Sequence, residues 1–436
     1  MKAIPRVGDL AWLRLLLLAL APAVAAAAAT EDADAVAANE TAMRYTASLE
    51  TWVYGTGTRL NSDSVLNPGN RIARIPAGQA LLDARLNLRA ENGPVQALLS
   101  PRLVEEQDST AQATAARSSS HVGSARIGQA YLRIKSQGDS LTVGRELFSW
   151  GPANFRSPSN PFYFDAGRTN PLAATPGIDL VRYTLGRGPL RATSAYVFST
   201  SQVLPAEDLS HTALLKIDQQ GKDYLVSLVA SKRRGDAAFV GGFAQYTPDD
   251  AWLLYAEFGS SRQPAALSPA TTPGPFYTLQ QPAPRSLSDL IGASYTLESG
   301  NVLAAELLHN SGGYTRSQEN QYFQQALAAG ALAQLNPAAG YGALGQALGF
   351  APRLLGRDYL WLSWQSNPQD SKFFWRAEWS ANLRDGSGQA LLYAEKNFVP
   401  RVSGFVALTH SAGGVQTDYG SLVRARLTLG LKLFVF

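Results

Sequence analysis

Residues 422–436 read Leu-Val-Arg-Ala-Arg-Leu-Thr-Leu-Gly-Leu-Lys-Leu-Phe-Val-Phe. From Val423 to Leu433 every second residue is apolar, and Arg424, Arg426, Thr428, Gly430 and Lys432 stand between them. That period of two gives a strand with one greasy face and one charged face. The segment finishes on an aromatic residue, Phe436. A soluble sandwich rarely ends its chain on such a strand, whereas a β-barrel of the bacterial outer membrane commonly does, because the assembly machinery reads an aromatic C-terminal strand. The stretch therefore predicts an all-β fold, a closed antiparallel transmembrane barrel, with Phe436 as the contact for the barrel-assembly machinery.

The same pattern recurs back along the chain. Leu82, Ala84, Leu86, Leu88 and Ala90 alternate with Asp83, Arg85, Asn87, Arg89 and Glu91. Similar segments run from 43–54 and 80–91 through 125–136 and 388–397 to 420–436, and they total about eighteen, with sixteen as the lower bound. Alternate links are tight turns rich in Gly, Pro, Asn and Asp, such as Glu91-Asn92-Gly93-Pro94 and Gln137-Gly138-Asp139-Ser140. The other links are long: 55–79, 105–124, 147–177, 200–210, 261–288 and 310–356. Loops sorted by parity predict short periplasmic turns at one end and long extracellular loops at the other. Residues 261–288 hold six prolines and read as irregular and exposed, while the Ala, Gln and Leu of 319–350 favour one or two short helices.

The other end of the chain agrees. Lys2, Arg6 and Arg14 precede an apolar run, Leu15 to Val24, and small residues follow to Ala29. This pattern predicts a secretory signal over 1–29, then a short periplasmic segment over 30–42 and the barrel over 43–436. Localisation in the outer membrane of a Gram-negative bacterium follows. Cysteine is absent, which removes disulfides and thiolate metal sites, and charged residues are 17% against a usual ~25%. The net charge of +4 is too small to argue for nucleic acid. No cofactor is expected.

A charge facing lipid at the midplane costs about 2–4 kcal/mol for Arg or Lys, so the charged faces are assigned to the lumen. The predicted lumen wall comprises Arg44, Glu50, Asp83, Arg85, Arg89, Arg133, Arg376, Glu378, Arg424 and Arg426. Glu257, Glu306, Glu395, Arg102, Lys135 and Lys432 fall on the same faces. First and last strands must be neighbours, so Arg424 and Arg426 are expected beside Arg44 and Glu50. Residues 144–165 then leave a strand for the third long loop with Trp, Phe, Tyr, Arg and Asn held between prolines. That composition predicts a loop folded inward. Its expected pore-constriction residues are Arg145, Glu146, Trp150, Arg156, Asn160, Asp165 and Arg168. Arginines there offer forks for carboxylates, and aromatics offer flat faces for rings.

The Gly144-Arg145-Glu146 strand end, Trp150-Gly151 and the Pro/Asn-rich stretch after it resemble the alginate-export-like superfamily of outer-membrane barrels, over residues 141–182. The resemblance implies an outer-membrane channel, with export or assembly of polysaccharide as the alternative role. Acids nearly match bases on the expected lumen face here, which favours a small polar or anionic solute, or an oligosaccharide, over a polyanion. The remaining expected partners are outer-membrane lipid and lipopolysaccharide. An enzyme reading, lipid acyl hydrolysis, would rest on His309 and Ser311, two apart on one outward face. Asn320 is poorly placed to orient that His, so no enzyme is expected.

Overall fold

A computed structural model describes residues 43–111, 117–165, 167–200, 209–263, 265–269, 273–370 and 372–436. The expected signal and the 30–42 segment lie outside the described residues. The chain forms β1 (Arg44–Leu60), β2 (Gly78–Asn92), β3 (Val95–Ala111), β4 (Arg117–Ser136), β5 (Asp139–Glu146), β6 (Ile178–Arg187), β7 (Leu190–Thr200), β8 (Thr212–Gln220), β9 (Tyr224–Arg233), β10 (Ala238–Tyr246) and β11 (Trp252–Arg262). A small hairpin, β12 (Ala266–Leu267) and β13 (Leu279–Gln280), follows. Then come β14 (Arg285–Thr296), β15 (Val302–Asn310), α1 (Arg316–Leu335), α2 (Pro337–Phe350), β16 (Asp358–Gln365), β17 (Phe373–Asn382), β18 (Gly388–Val399), β19 (Val402–Ala412) and β20 (Val423–Phe434). All strands but β12 and β13 join one 18-stranded antiparallel sheet, and β1 pairs with β20 to close it.

Closure explains the alternation. Each of the eighteen strands has a partner on both sides, which satisfies the ladder donors within the apolar band; beyond it, β1 before Glu50 and β4 from Arg117 to Gln129 extend past one neighbour. One parity of each strand turns outward and carries exposed aliphatic residues such as Val53, Val143, Val181, Ile217, Leu228, Ile291 and Leu429. A soluble protein would not carry so continuous an apolar band, whereas a barrel in lipid requires it. The described helices are not long and apolar enough to cross a membrane. Tight turns join strand pairs at the end that holds both termini; Gly93 and Gly138 adopt the left-handed backbone those turns need, with φ of 50° and 96°.

Three expectations are corrected. Residues 105–124, expected as a long loop, are mostly strand, because β3 and β4 pair out to Ala111 and Arg117. Glu105, Gln107 and Ser109 are polar on the outward parity because this hairpin rises above the apolar band. The Pro-rich segment is not simply exposed: β12 and β13 pair, and Leu267 and Tyr277 are buried under the helical loop. Arg424 and Arg426 do not sit beside Arg44 and Glu50. β1 and β20 run antiparallel, so Arg426 lies opposite Thr58 while Glu50 lies opposite Phe434. Lys432 takes the place expected for the arginines, opposite Trp52.

The helices of residues 311–357 begin with a capping box, in which Thr315 Oγ1 accepts from Gln318 N–H and the Gln318 side chain accepts from Thr315 N–H. Tyr322, Phe323, Ala326 and Leu344 pack with Leu66, Leu267, Tyr277 and Tyr314, which ties three extracellular loops together.

Candidate functional site

The barrel has the strand number at which side chains no longer fill the bore. What fills it here is the loop of residues 147–177. Two carboxylates on the inner wall hold it. Glu257 on β11 accepts hydrogen bonds from Ala153 N–H at 2.9 Å, from Ser159 N–H at 3.2 Å, and from the hydroxyls of Ser157 and Ser159 at 2.7 Å each. Glu306 on β15 accepts from Asn154 N–H at 2.6 Å, Phe155 N–H at 2.8 Å and Tyr255 O–H at 2.6 Å. A loop without secondary structure must satisfy its backbone donors elsewhere, and here the wall provides the acceptors.

Apolar packing fixes the rest. Trp150, Phe162 and Tyr163 pack on Ile178, Leu180, Val197, Leu214, Val229 and Phe239 of the β6–β10 wall. Phe155 meets Tyr255, Leu290, Leu308 and Tyr359. Leu172 reaches Tyr393 and Phe405 on β18 and β19, so the loop crosses the lumen from one wall to another.

The expected constriction residues separate into two groups. Asn160 and Arg168 hold the loop's own shape: Asn160 Oδ1 accepts from Phe162 and Tyr163 N–H, and Arg168 Nη1 donates to the carbonyls of Gly151 and Ala153. Trp150 is likewise internal, its Nε1 donating to Ser159 O at 3.1 Å. Arg156 and Asp165 face each other with Nη2 3.4 Å from Oδ2, and Glu146 is buried on the inner face of β5. Arg145 is a correction. It shares the outward parity of Leu141 and Val143 and pairs with Asp179 at 2.7 Å across β6. The alternation of β5 places Arg145 and its neighbour Glu146 on opposite faces, so only Glu146 turns inward.

The wall facing the loop carries charge in layers. Asp83 on β2 is fully buried and accepts from Arg85 at 2.6 and 2.9 Å and from Arg102 on β3 at 2.5 and 2.6 Å. Arg85 is paired in register with Arg102, and Arg102 with Arg126 on β4. Arg126 makes no hydrogen bond or ion pair among the described residues. At the end of β5, where the loop begins, Glu146 binds both Arg133 and Arg182, the latter at 2.8 and 3.0 Å. Arg376 pairs with Glu378 at 2.8 Å on β17. In each case the acid is less exposed than its bases: 0% for Asp83 against 19% for Arg85, and 7% for Glu146 against 19% for Arg133. Formal charge nearly balances, but the charge presented to the lumen along β2–β6 is positive. Trp52 lies between two cations, with Arg85 3.9 Å and Lys432 4.3 Å from its ring centre. Arg44, Arg89, Arg424 and Arg426 take the inward parity without joining these clusters, and Glu50 lies opposite Arg85.

Sequence reading missed Arg126 and Arg182. A bulge shifts the register where Ser100 pairs with Gln129 and Pro101 with Ile127, leaving Gly128 unpaired. It moves Arg126 to the same face as Arg133, seven residues on. Arg182 shares its inward face with Ile178 and Leu180, which are apolar because the loop covers them.

His309 also differs from expectation. Its Nδ1 lies 2.7 Å from Asp358 Oδ1, so Asp358 and not Asn320 orients it, and Arg384 binds the same carboxylate. Ser311 Oγ accepts from Leu287 N–H at 2.8 Å. No His309–Ser311 hydrogen bond forms among the described residues.

No family model and no curated protein matches this sequence. Solved structures do. OccAB1 of Acinetobacter baumannii is similar with a TM-score of 0.52 at 10% identity, over 90% of this chain and 97% of that one. OccD3 (OpdP) of Pseudomonas aeruginosa gives 0.52 at 10% identity, over 92% and 95%. OccK5 (OpdH) of the same organism gives 0.51 at 11% identity, over 90% and 98%. At such identities the likeness is one of fold.

Proposed function

We propose that the chain is a passive outer-membrane channel for small anionic solutes, its bore narrowed by the 147–177 loop and its selectivity set by the arginines of β2–β6. The observation that carries this is the layering of charge. Acids buried beneath Arg85, Arg102, Arg133 and Arg182 keep the guanidiniums in place while leaving their outer N–H groups for a passing carboxylate or phosphate. The crossing loop restricts what can reach them. The structures compared above share the barrel fold, which is compatible with the same role and location.

The site is Arg85, Arg102, Arg126, Arg133 and Arg182 on the wall, with Arg156 and Asp165 on the loop. The finer assignment to the alginate-export-like superfamily rests on residues 141–182, the expected signal, the strand rhythm and Phe436, and polysaccharide export is not carried further. Catalysis is not proposed, because Ser311 has no hydrogen bond to His309. Export through the 1–29 signal, and recognition of Phe436 by the barrel-assembly machinery, belong to the same reading.

Planar-bilayer recording tests it. The purified chain should give discrete conductance steps with a reversal potential on the anion side. Deletion of 152–170 should raise the conductance and weaken the preference. Silent bilayers would refute the channel; an unchanged conductance after the deletion would refute the loop's role.

A further inference from the structure

The outward face of the barrel carries a basic row at its extracellular rim that the channel does not use. Arg262 of β11 and Arg285 of β14 lie directly opposite each other on the outward parity. Like charges so placed destabilise a sheet unless something neutralises them. Arg285 turns along the rim, Nη1 donating to Ser260 Oγ at 3.0 Å and Nη2 to Ala238 O at 2.6 Å on β10. Ala238 is the register partner of Lys232 on β9, which also points outward. Arg262 makes no hydrogen bond or ion pair among the described residues. The row spans three strand intervals, roughly 14 Å.

Nearby acids do not balance it. Asp236 is engaged by Arg233 at 2.7 Å. Asp289 lies four residues below Arg285 in register with His309. Below the row, at the level of Ala230 and Ser260 and past it, the outward side chains include exposed Leu228, Val240, Phe258 and Leu287, with Asp289 level with Phe258. The cations thus sit at the upper edge of the apolar band, where lipid headgroups meet the protein.

We infer that Lys232, Arg262 and Arg285 form a binding surface for a phosphate-bearing glycolipid headgroup of the outer leaflet. Arginine forks match phosphate oxygens bidentately, and the band below takes the acyl chains. This inference rests on the membrane placement of the barrel and not on its solute.

The test is competitive native mass spectrometry of the full chain in detergent, with bisphosphorylated lipid A as probe. Arg262→Gln/Arg285→Gln should bind about tenfold more weakly than wild type, the scale of one or two lost charge-assisted bonds. Lys232→Gln, which leaves the opposed Arg262 and Arg285 in place and loses the Lys232 Nζ bond to Asp236 O, should weaken binding in the same direction. Arg401→Gln at the periplasmic turn should leave it unchanged. Inorganic phosphate at equal concentration should not displace the lipid. Unchanged lipid A binding in both rim variants, each shown folded by heat-modifiable gel mobility, would overturn the inference. Full displacement by phosphate would do so too, since it would mean a site for free anions.

Discussion

Glu306 and Phe155 are separated by 151 positions in the chain, yet the Glu306 carboxylate accepts the Phe155 N–H at 2.8 Å. The contact fastens an irregular loop to a strand on the far side of the bore, and Glu306 → Ala would leave the N–H groups of Asn154 and Phe155 and the Tyr255 hydroxyl without it. Each buried donor so stranded costs about 1–3 kcal/mol. The barrel ladders do not depend on this carboxylate, so the loop is expected to detach while the barrel stays closed. Single-channel conductance should rise and anion preference should fall. Glu306→Gln, which keeps an acceptor oxygen, should lie between the two; a wild-type conductance for Glu306→Ala would show the loop held by packing alone.

A purely steric change should act the same way. An added Cβ at Gly259 would stand 1.9 Å from Pro158 O, backbone that cannot step aside cheaply. Gly259→Val is therefore expected to push the loop off β11 with no change of charge. Higher conductance with the same fall in anion preference as in Glu306→Ala would show that the displaced loop, and not the lost carboxylate charge, accounts for both. An unaltered channel would mean that the wall at Gly259 yields instead.

Selectivity should follow the layered arginines. Arg126→Ala removes a guanidinium that has no acid partner among the described residues, so it should move the reversal potential toward zero with little loss of stability. Asp83→Asn should do the reverse. It removes the negative charge beneath Arg85 and Arg102 and strengthens anion preference, but breaking a buried pair costs about 3–5 kcal/mol. Reversal potentials in a salt gradient and denaturant unfolding check the two halves. Equal reversal potentials in all three proteins would refute control by this cluster.

The barrel was legible because its signal is repeated: each strand is weakly patterned, but eighteen of them with loops sorted by parity leave one architecture. The site was less legible for local reasons. Period-two reasoning fails at a bulge, and Gly128 hid Arg126. It also fails where the inner wall is covered, so Ile178 and Leu180 masked Arg182. Glu257 and Glu306 could be placed in the lumen from alternation, but their partners are backbone groups about 100 and 150 residues away, which no spacing reveals. Arg424 and Arg426 were misplaced by treating neighbouring strands as level, when antiparallel register sends their ends apart.

The last prediction concerns pH and the extracellular loops. Glu319 of α1 is buried, and its Oε1 accepts from Asn382 Nδ2 at 2.9 Å. Asp418, in the 413–422 loop, accepts from the Tyr359 hydroxyl at 2.6 Å. Burial pushes the Glu319 carboxyl up to about 7 from an ordinary 4.5, with Asp385 and Asp418 adding repulsion. Burial likewise pushes Asp418 up to about 6 from 3.8. Asn382, Arg316 and Arg156 oppose these shifts without reversing them. A carboxyl whose value is raised in the packed state binds its proton more tightly there than when released. Docking of α1 onto β17 and the 413–422 loop is therefore strongest below the ordinary carboxyl range. It weakens as pH climbs from about 4 to about 7 and then levels off. Hydrogen exchange of α1 amides, corrected for intrinsic rate, should show greater protection near pH 5 than near pH 7.5. Glu319→Gln, neutral at every pH, should flatten most of that dependence and protect α1 near neutrality. Protection that rises with pH in the wild type would contradict the sign, and an identical slope in Glu319→Gln would remove Glu319 as its source.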